Sequence, residues 1–106
     1  VVFIGKSIGT ALAAYFDSRL GVNARNLVFT PVPQTFDRHA PKSGIVFHGL
    51  DDPWCSTDVA QAKCDELELE LYKVDKANHS LETDSAAADI CNLKGIMEKV
   101  ESFIKA

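Results

Sequence analysis

The chain lacks any apolar run near the ~20 residues of a membrane-spanning helix, so no membrane partner is expected. Its Lys and Arg residues never cluster and its net charge is −4, which argues against a nucleic-acid surface. Cysteine is scarce and odd in number: Cys55, Cys64 and Cys91, with no C-x-x-C spacing. That pattern supports neither a disulfide framework nor paired zinc ligands, so no metal is expected. The expectation is three free, partly buried thiols and a reducing, cytoplasmic setting. No repeat, linker or low-complexity segment interrupts the 106 residues, which bound the chain to one domain. No signal-peptide pattern opens it, and it does not begin with Met, which leaves an upstream address open.

What is present is alternation. Four short apolar runs stand out: Val1-Ile4, Asn26-Thr30 (closed by Pro31), Gly44-His48 (closed by Gly49) and Leu69-Val74. The first three are continuous and rich in β-branched and aromatic residues, as strands covered on both faces are. The fourth alternates apolar and polar, which predicts an edge strand with a wetter face. Between them lie helical patterns. Ile8 to Leu20 places Ile8, Leu12 and Tyr15/Phe16 on one face, stopped by Gly21. Asp58 to Leu67 follows a cap at Ser56 or Thr57. A last helix carries Ile90, Leu93, Met97, Val100 and Ile104 at spacings of three and four, and its Gly95 is expected to let it lie close to the sheet. Strands alternating with helices predict an α/β fold: a parallel sheet of about four strands flanked by helices, in three layers.

One local pattern carries chemistry. Gly5-Lys6-Ser7-Ile8-Gly9 follows the first strand and opens the first helix. A Gly-x-Ser-x-Gly turn between strand and helix holds a serine clear of the sheet, and its glycines are expected to prevent clashes where the two elements nearly touch. The helix that begins there directs its N–H groups and positive dipole end at any oxyanion. The bland alternative is a serine that only caps the helix. Gly5-Lys6-Ser7 also matches the end of a nucleotide-binding P-loop. Its loop would then be Val1-Val2-Phe3-Ile4, which reads as a strand and not as a phosphate cradle.

A serine nucleophile needs a histidine base and a carboxylate to orient it, and in a strand-turn-helix setting they follow in the order Ser, Asp or Glu, His. The chain offers that order. Asp51 and Asp52 follow the third strand in His48-Gly49-Leu50-Asp51-Asp52-Pro53-Trp54, and His79 follows the fourth in Asn78-His79-Ser80-Leu81-Glu82. Either aspartate could be a plain turn residue, and His79 a solvated loop histidine. His48 reads as a packed, hydrogen-bonded histidine and His39 as a surface one.

Gly-Lys-Ser-Ile-Gly-Thr, Phe-Thr-Pro, His-Gly-Leu-Asp-Asp-Pro-Trp and Asn-His-Ser-Leu-Glu together resemble the small capless α/β-hydrolases of bacteria, relatives of the dienelactone-hydrolase and carboxylesterase group. The resemblance covers almost the whole chain. It implies a serine esterase for a small ester or related acyl substrate, without cofactor, with Ser7 as nucleophile, Asp52 as the orienting acid before Pro53, and His79 as base. The Ile8 N–H would be one oxyanion donor. Val32, Phe36 and Trp54 are candidate substrate-lining residues, and Lys6 could lean over the site toward an acidic substrate. The resemblance further implies that the chain supplies the last four of eight strands, with the second oxyanion donor outside it. Its first strand would then be an exposed edge that pairs with an N-terminal half of a longer protein or with a second copy. A non-catalytic interaction module on the same fold is the competing class.

Overall fold

A computed structural model of the chain describes residues 1–37 and 39–106. In chain order it contains β1 (Val2–Lys6), α1 (Ile8–Leu20), β2 (Arg25–Phe29), a 3₁₀ turn (Pro33–Phe36), β3 (Gly44–Gly49), α2 (Thr57–Leu67), β4 (Glu70–Val74) and α3 (Ala86–Lys105). The four strands are all parallel and lie side by side in chain order, so β1 and β4 are the two edges.

The register explains the layering. Val28 pairs with Val46 and Val46 with Leu71, and that row faces α2. There Val28 and Val46 pack with Phe36, Cys55, Ala60, Cys64 and Leu69. One residue on, Phe29, Phe47 and Tyr72 form a row on the opposite face, because successive side chains alternate. Their rings lie 4.7 and 5.4 Å apart, under Ile96, Val100 and Phe103 of α3. Gly95 lets that helix approach, since a Cβ there would sit 2.6 Å from the Tyr72 hydroxyl. The helix starts are capped as their sequences require: the Ser56 hydroxyl accepts from Val59 N–H and the Ser85 hydroxyl from Ala88 N–H.

Several expectations are corrected. The apolar stripe of α1 is not its buried face. Ile8, Leu12, Tyr15 and Phe16 are exposed, and Thr10, Ala14 and Asp17 are buried instead. Small and polar residues let α1 lie close to the sheet, and the polar ones find partners there: an Asp17 carboxylate oxygen accepts from Ala24 N–H at 3.0 Å. On α3 the same displacement occurs. Ile96 is buried, with Val100 and Phe103 packed beside it, whereas Ile90, Leu93, Met97 and Ile104 are exposed. The apolar surface of α3 is wider than the strip of sheet it meets. Cys55 and Cys64 are buried and free, but Cys91 is exposed on α3. Burial pushes the Cys64 thiol up to about 11. Thr30 lies beyond β2, because its backbone turns to a φ of 48°. Among the described residues no helix is long and apolar enough to cross a membrane.

Candidate active site

In a parallel sheet every strand ends at the same side, so the loops after β1, β3 and β4 converge. Each carries one of the three residues in question.

Ser7 stands between β1 and α1 with φ 54° and ψ −124°, a strained conformation for a residue with a side chain. Its N–H donates to Phe29 O at 3.0 Å, so the elbow is tied to β2. Although Ser7 occupies the cap position of α1, its hydroxyl makes no capping bond. It points instead at His79, with Oγ 2.7 Å from Nε2. Gly5 is required: a Cβ there would sit 2.9 Å from Gly9 O and 3.0 Å from Thr10 Cα. Gly9 corrects the expectation for the second glycine, because among the described residues a Cβ there would meet nothing within 4 Å.

Asp52 is buried in the turn after β3, with its N–H donating to Gly49 O. One carboxylate oxygen accepts from Trp54 N–H at 2.8 Å and the other lies 2.7 Å from His79 Nδ1. A carboxylate only accepts, so His79 Nδ1 carries the proton and Nε2 is left to accept from Ser7. Asp51, the other aspartate, is exposed and ties its N–H to Ala77 O.

His79 sits in a loop built by Asn78. The Asn78 side-chain oxygen accepts from Ser80 and Glu82 N–H, and its backbone N–H donates to Glu82 O. Gly49 brings this loop against β3: a Cβ there would collide with Ala77 O and lie 2.6 Å from Asn78 O. The histidine side chain is 22% exposed and the Asp52 side chain not at all, so the base is open to a ligand on one side only.

An open cleft of about 420 Å³ lies over Ser7, lined also by Ile8, Val32, Gln34, Trp54 and His79. Trp54 is exposed, and its ring centroid is 6.0 Å from that of His79. Ile8, as first residue of α1, has an N–H with no intrahelical acceptor. Two lining candidates fall elsewhere. Phe36 belongs to the core on the α2 side, because the 3₁₀ turn directs it inward. Lys6 is exposed but outside the cleft lining and makes no ion pair among the described residues. Gln34 joins the lining without a distinct sequence signal. Its neighbour Pro33 inside Pro31-Val32-Pro33 marks a shaped turn, but nothing in the sequence says which side chain faces the serine.

His48 lies fully buried on β3, with Nε2 2.9 Å from the Thr57 hydroxyl and Nδ1 without a partner among the described residues. Desolvation lowers its pKa, helped by Lys73 and opposed by Asp52. His39 is half-buried, with Nδ1 3.1 Å from the Ser18 hydroxyl and its ring edge-on to Tyr15. Among the described residues no group of His, Cys, Asp and Glu is placed to hold a metal ion.

No protein-family model matches the sequence, and no curated protein matches it. Solved structures do. A protein named as a YdeN-like hydrolase from Pectobacterium atrosepticum is 26% identical, with a TM-score of 0.61 over 74% of this chain and 48% of that one. An alpha-beta serine hydrolase homologue from Coxiella burnetii is 16% identical, with a TM-score of 0.60 over 74% of this chain and 40% of that one. The esterase domain of a Rhodothermus marinus protein is 12% identical, with a TM-score of 0.57 over 83% of this chain and 54% of that one. The chain thus spans about half the length of these structures.

Proposed function

We propose, from the premise that this chain has the α/β-hydrolase fold, that it carries the acyl-transfer centre of a serine hydrolase of esterase type. The substrate is a small ester or related acyl compound. The observation that carries this reading is the unbroken chain from Ser7 Oγ through the His79 ring to Asp52, at 2.7 Å on each side. The names of the similar structures, hydrolases and an esterase domain, point the same way.

The chemistry follows from that chain. Ser7 Oγ attacks the carbonyl carbon while His79 Nε2 takes its proton. Asp52, buried and also held by Trp54 N–H, keeps Nδ1 protonated and stabilises the imidazolium. The Ile8 N–H donates to the oxyanion. The bond to the leaving oxygen then breaks, His79 returns its proton to that oxygen, and a water activated by His79 releases the acyl group. Ile8, Val32 and Trp54 make the cleft apolar, with Gln34 as its polar neutral member, which suits an uncharged acyl group better than an acidic one.

A fluorophosphonate probe tests the reading on the protein expressed from its complete reading frame and on this chain side by side. The probe should label Ser7, and Ser7→Ala or His79→Ala should lower labelling and ester turnover on the order of 10⁴-fold or more. Labelling that survives both changes refutes the triad.

A further inference from the structure

The carbonyl of Ser7 is held by one residue twice. It accepts from Thr10 N–H at 3.0 Å and from the Thr10 hydroxyl at 2.6 Å. The Thr10 Oγ1 lies 2.5 Å from Thr35 Oγ1, and Thr35 Oγ1 in turn accepts from Val32 N–H at 3.1 Å. Both threonines are fully buried, at 1% and 0% exposure, and the two bonds at Thr35 are buried with them.

Counting protons fixes the direction of the chain. A carbonyl only accepts, so the single Thr10 proton goes to Ser7 O. The Thr35 proton then goes to Thr10 Oγ1, and Val32 supplies the donor to Thr35. Every bond therefore runs the same way, from Val32 N–H in the cleft wall to the carbonyl of Ser7. Bonds in series polarise one another.

The peptide unit is planar, so the Ser7 carbonyl and the Ile8 N–H are two ends of one rigid plate. Fixing the oxygen fixes the aim of the N–H, and drawing electron density toward that oxygen makes the N–H a stronger donor. We infer that Thr10 and Thr35 are positioning residues for the oxyanion site: they orient and polarise the Ile8 N–H and lock the cleft wall at Val32 onto the strained nucleophile. The inference rests on the serine-hydrolase reading, in which that N–H has an oxyanion to bind.

The test compares Thr10→Val, Thr10→Ser and Thr35→Val by the rate of Ser7 phosphonylation, by KM and kcat on an ester, and by thermal midpoint. Valine keeps the shape of threonine without the hydroxyl, and serine keeps the hydroxyl in a smaller volume. Thr10→Val should slow phosphonylation and kcat about tenfold, less than the ~10²–10³ for a whole lost oxyanion donor, with KM and the pH profile unmoved. Thr10→Ser should stay near the wild-type rate, and Thr35→Val should lose about threefold through weaker polarisation. A packing role predicts the reverse order, with serine worse than valine. Wild-type rates in both valine variants, or a serine variant as slow as valine, overturn the inference. If Thr10→Val does not fold, Thr35→Val carries the test, because it leaves the Thr10 bond to Ser7 in place. Absence of Ser7 labelling in the wild type takes down the hydrolase reading, and the inference with it. A labelled wild type with unaffected variants takes down the inference alone.

Discussion

The two edge strands each end in one of the reacting groups, and they hold them by different means. At the end of β1, Ser7 is held by backbone: a strained φ/ψ, a bond to β2 and a close approach of α1 at Gly5. At the end of β4, His79 is held by a loop that Asn78 folds upon itself and that Gly49 admits against β3. The edges differ on their flanks as well. β4 places Glu70 in an ion pair with Lys99 of α3. On β1 and beside it lie the exposed Ile4, Phe16 and Leu20. A nucleophile needs a fixed direction, which the contacts that hold the strained turn supply. A base must meet both an acid and a hydroxyl, which a braced loop supplies.

The largest effect is expected at the base. Gly49→Ala drives a Cβ into two backbone carbonyls, those of Ala77 and Asn78. Neither can yield without moving the His79 loop. Denaturant melts should show a loss of about 3 kcal/mol, and phosphonylation of Ser7 should fall about 10²-fold as His79 is displaced. An unaffected labelling rate would show that the loop is not what positions the base.

A smaller effect separates the two glycines of the elbow. Gly5→Ala meets the backbone of Gly9 and Thr10 at 2.9–3.0 Å, so a loss of about 1–2 kcal/mol is expected in the same melts. Gly9→Ala meets nothing within 4 Å among the described residues, and its better helix propensity should add up to ~1 kcal/mol. Equal losses at both sites would contradict the asymmetry of the elbow.

The smallest effect reaches the base end through pH. His48 binds its proton less well folded than unfolded, chiefly because burial desolvates it. Below its ordinary value of 6.5 the unfolded chain therefore takes up more protons than the native one. Stability is fully present above that value and is lost as pH falls toward the lower, folded one. The slope cannot exceed ~1.4 kcal/mol per pH unit for one proton. His48→Gln, which keeps a donor near Thr57, should flatten the curve measured by denaturant melts between pH 7 and 5. A curve unchanged by the substitution would assign the acid sensitivity elsewhere.

The sheet was legible in the sequence because its strands are short, apolar and closed by residues such as Pro31 and Gly49, and their parallel order follows from the helices between them. The meeting of Ser7, Asp52 and His79 was legible for a topological reason: residues just after parallel strands share one end of the sheet. The packing faces of α1 and α3 were not legible. Periodicity reports where apolar residues lie on a helix, but not how much sheet is present to cover them. Thr10 and Asp17 give no hydrophobic signal at all, because their burial depends on partners at Thr35 and Ala24. Phe36, expected in the lining, lies in the core, and Gln34 lines the cleft, for a similar reason. Which residue of a tight turn faces inward is set by backbone angles, and neither residue type announces them.

The register of β1 has a further consequence. A parallel strand sends alternate residues' N–H and C=O groups to its two sides, and β1 has a partner on one side only. Among the described residues, alternate amides of β1 therefore lie outside the ladder, while β2 and β3 are laced on both sides. The strand that delivers Ser7 is thus tied into the sheet along a single seam. The bond to Phe29 O and the two threonines carry the hold on the nucleophile past the end of the strand.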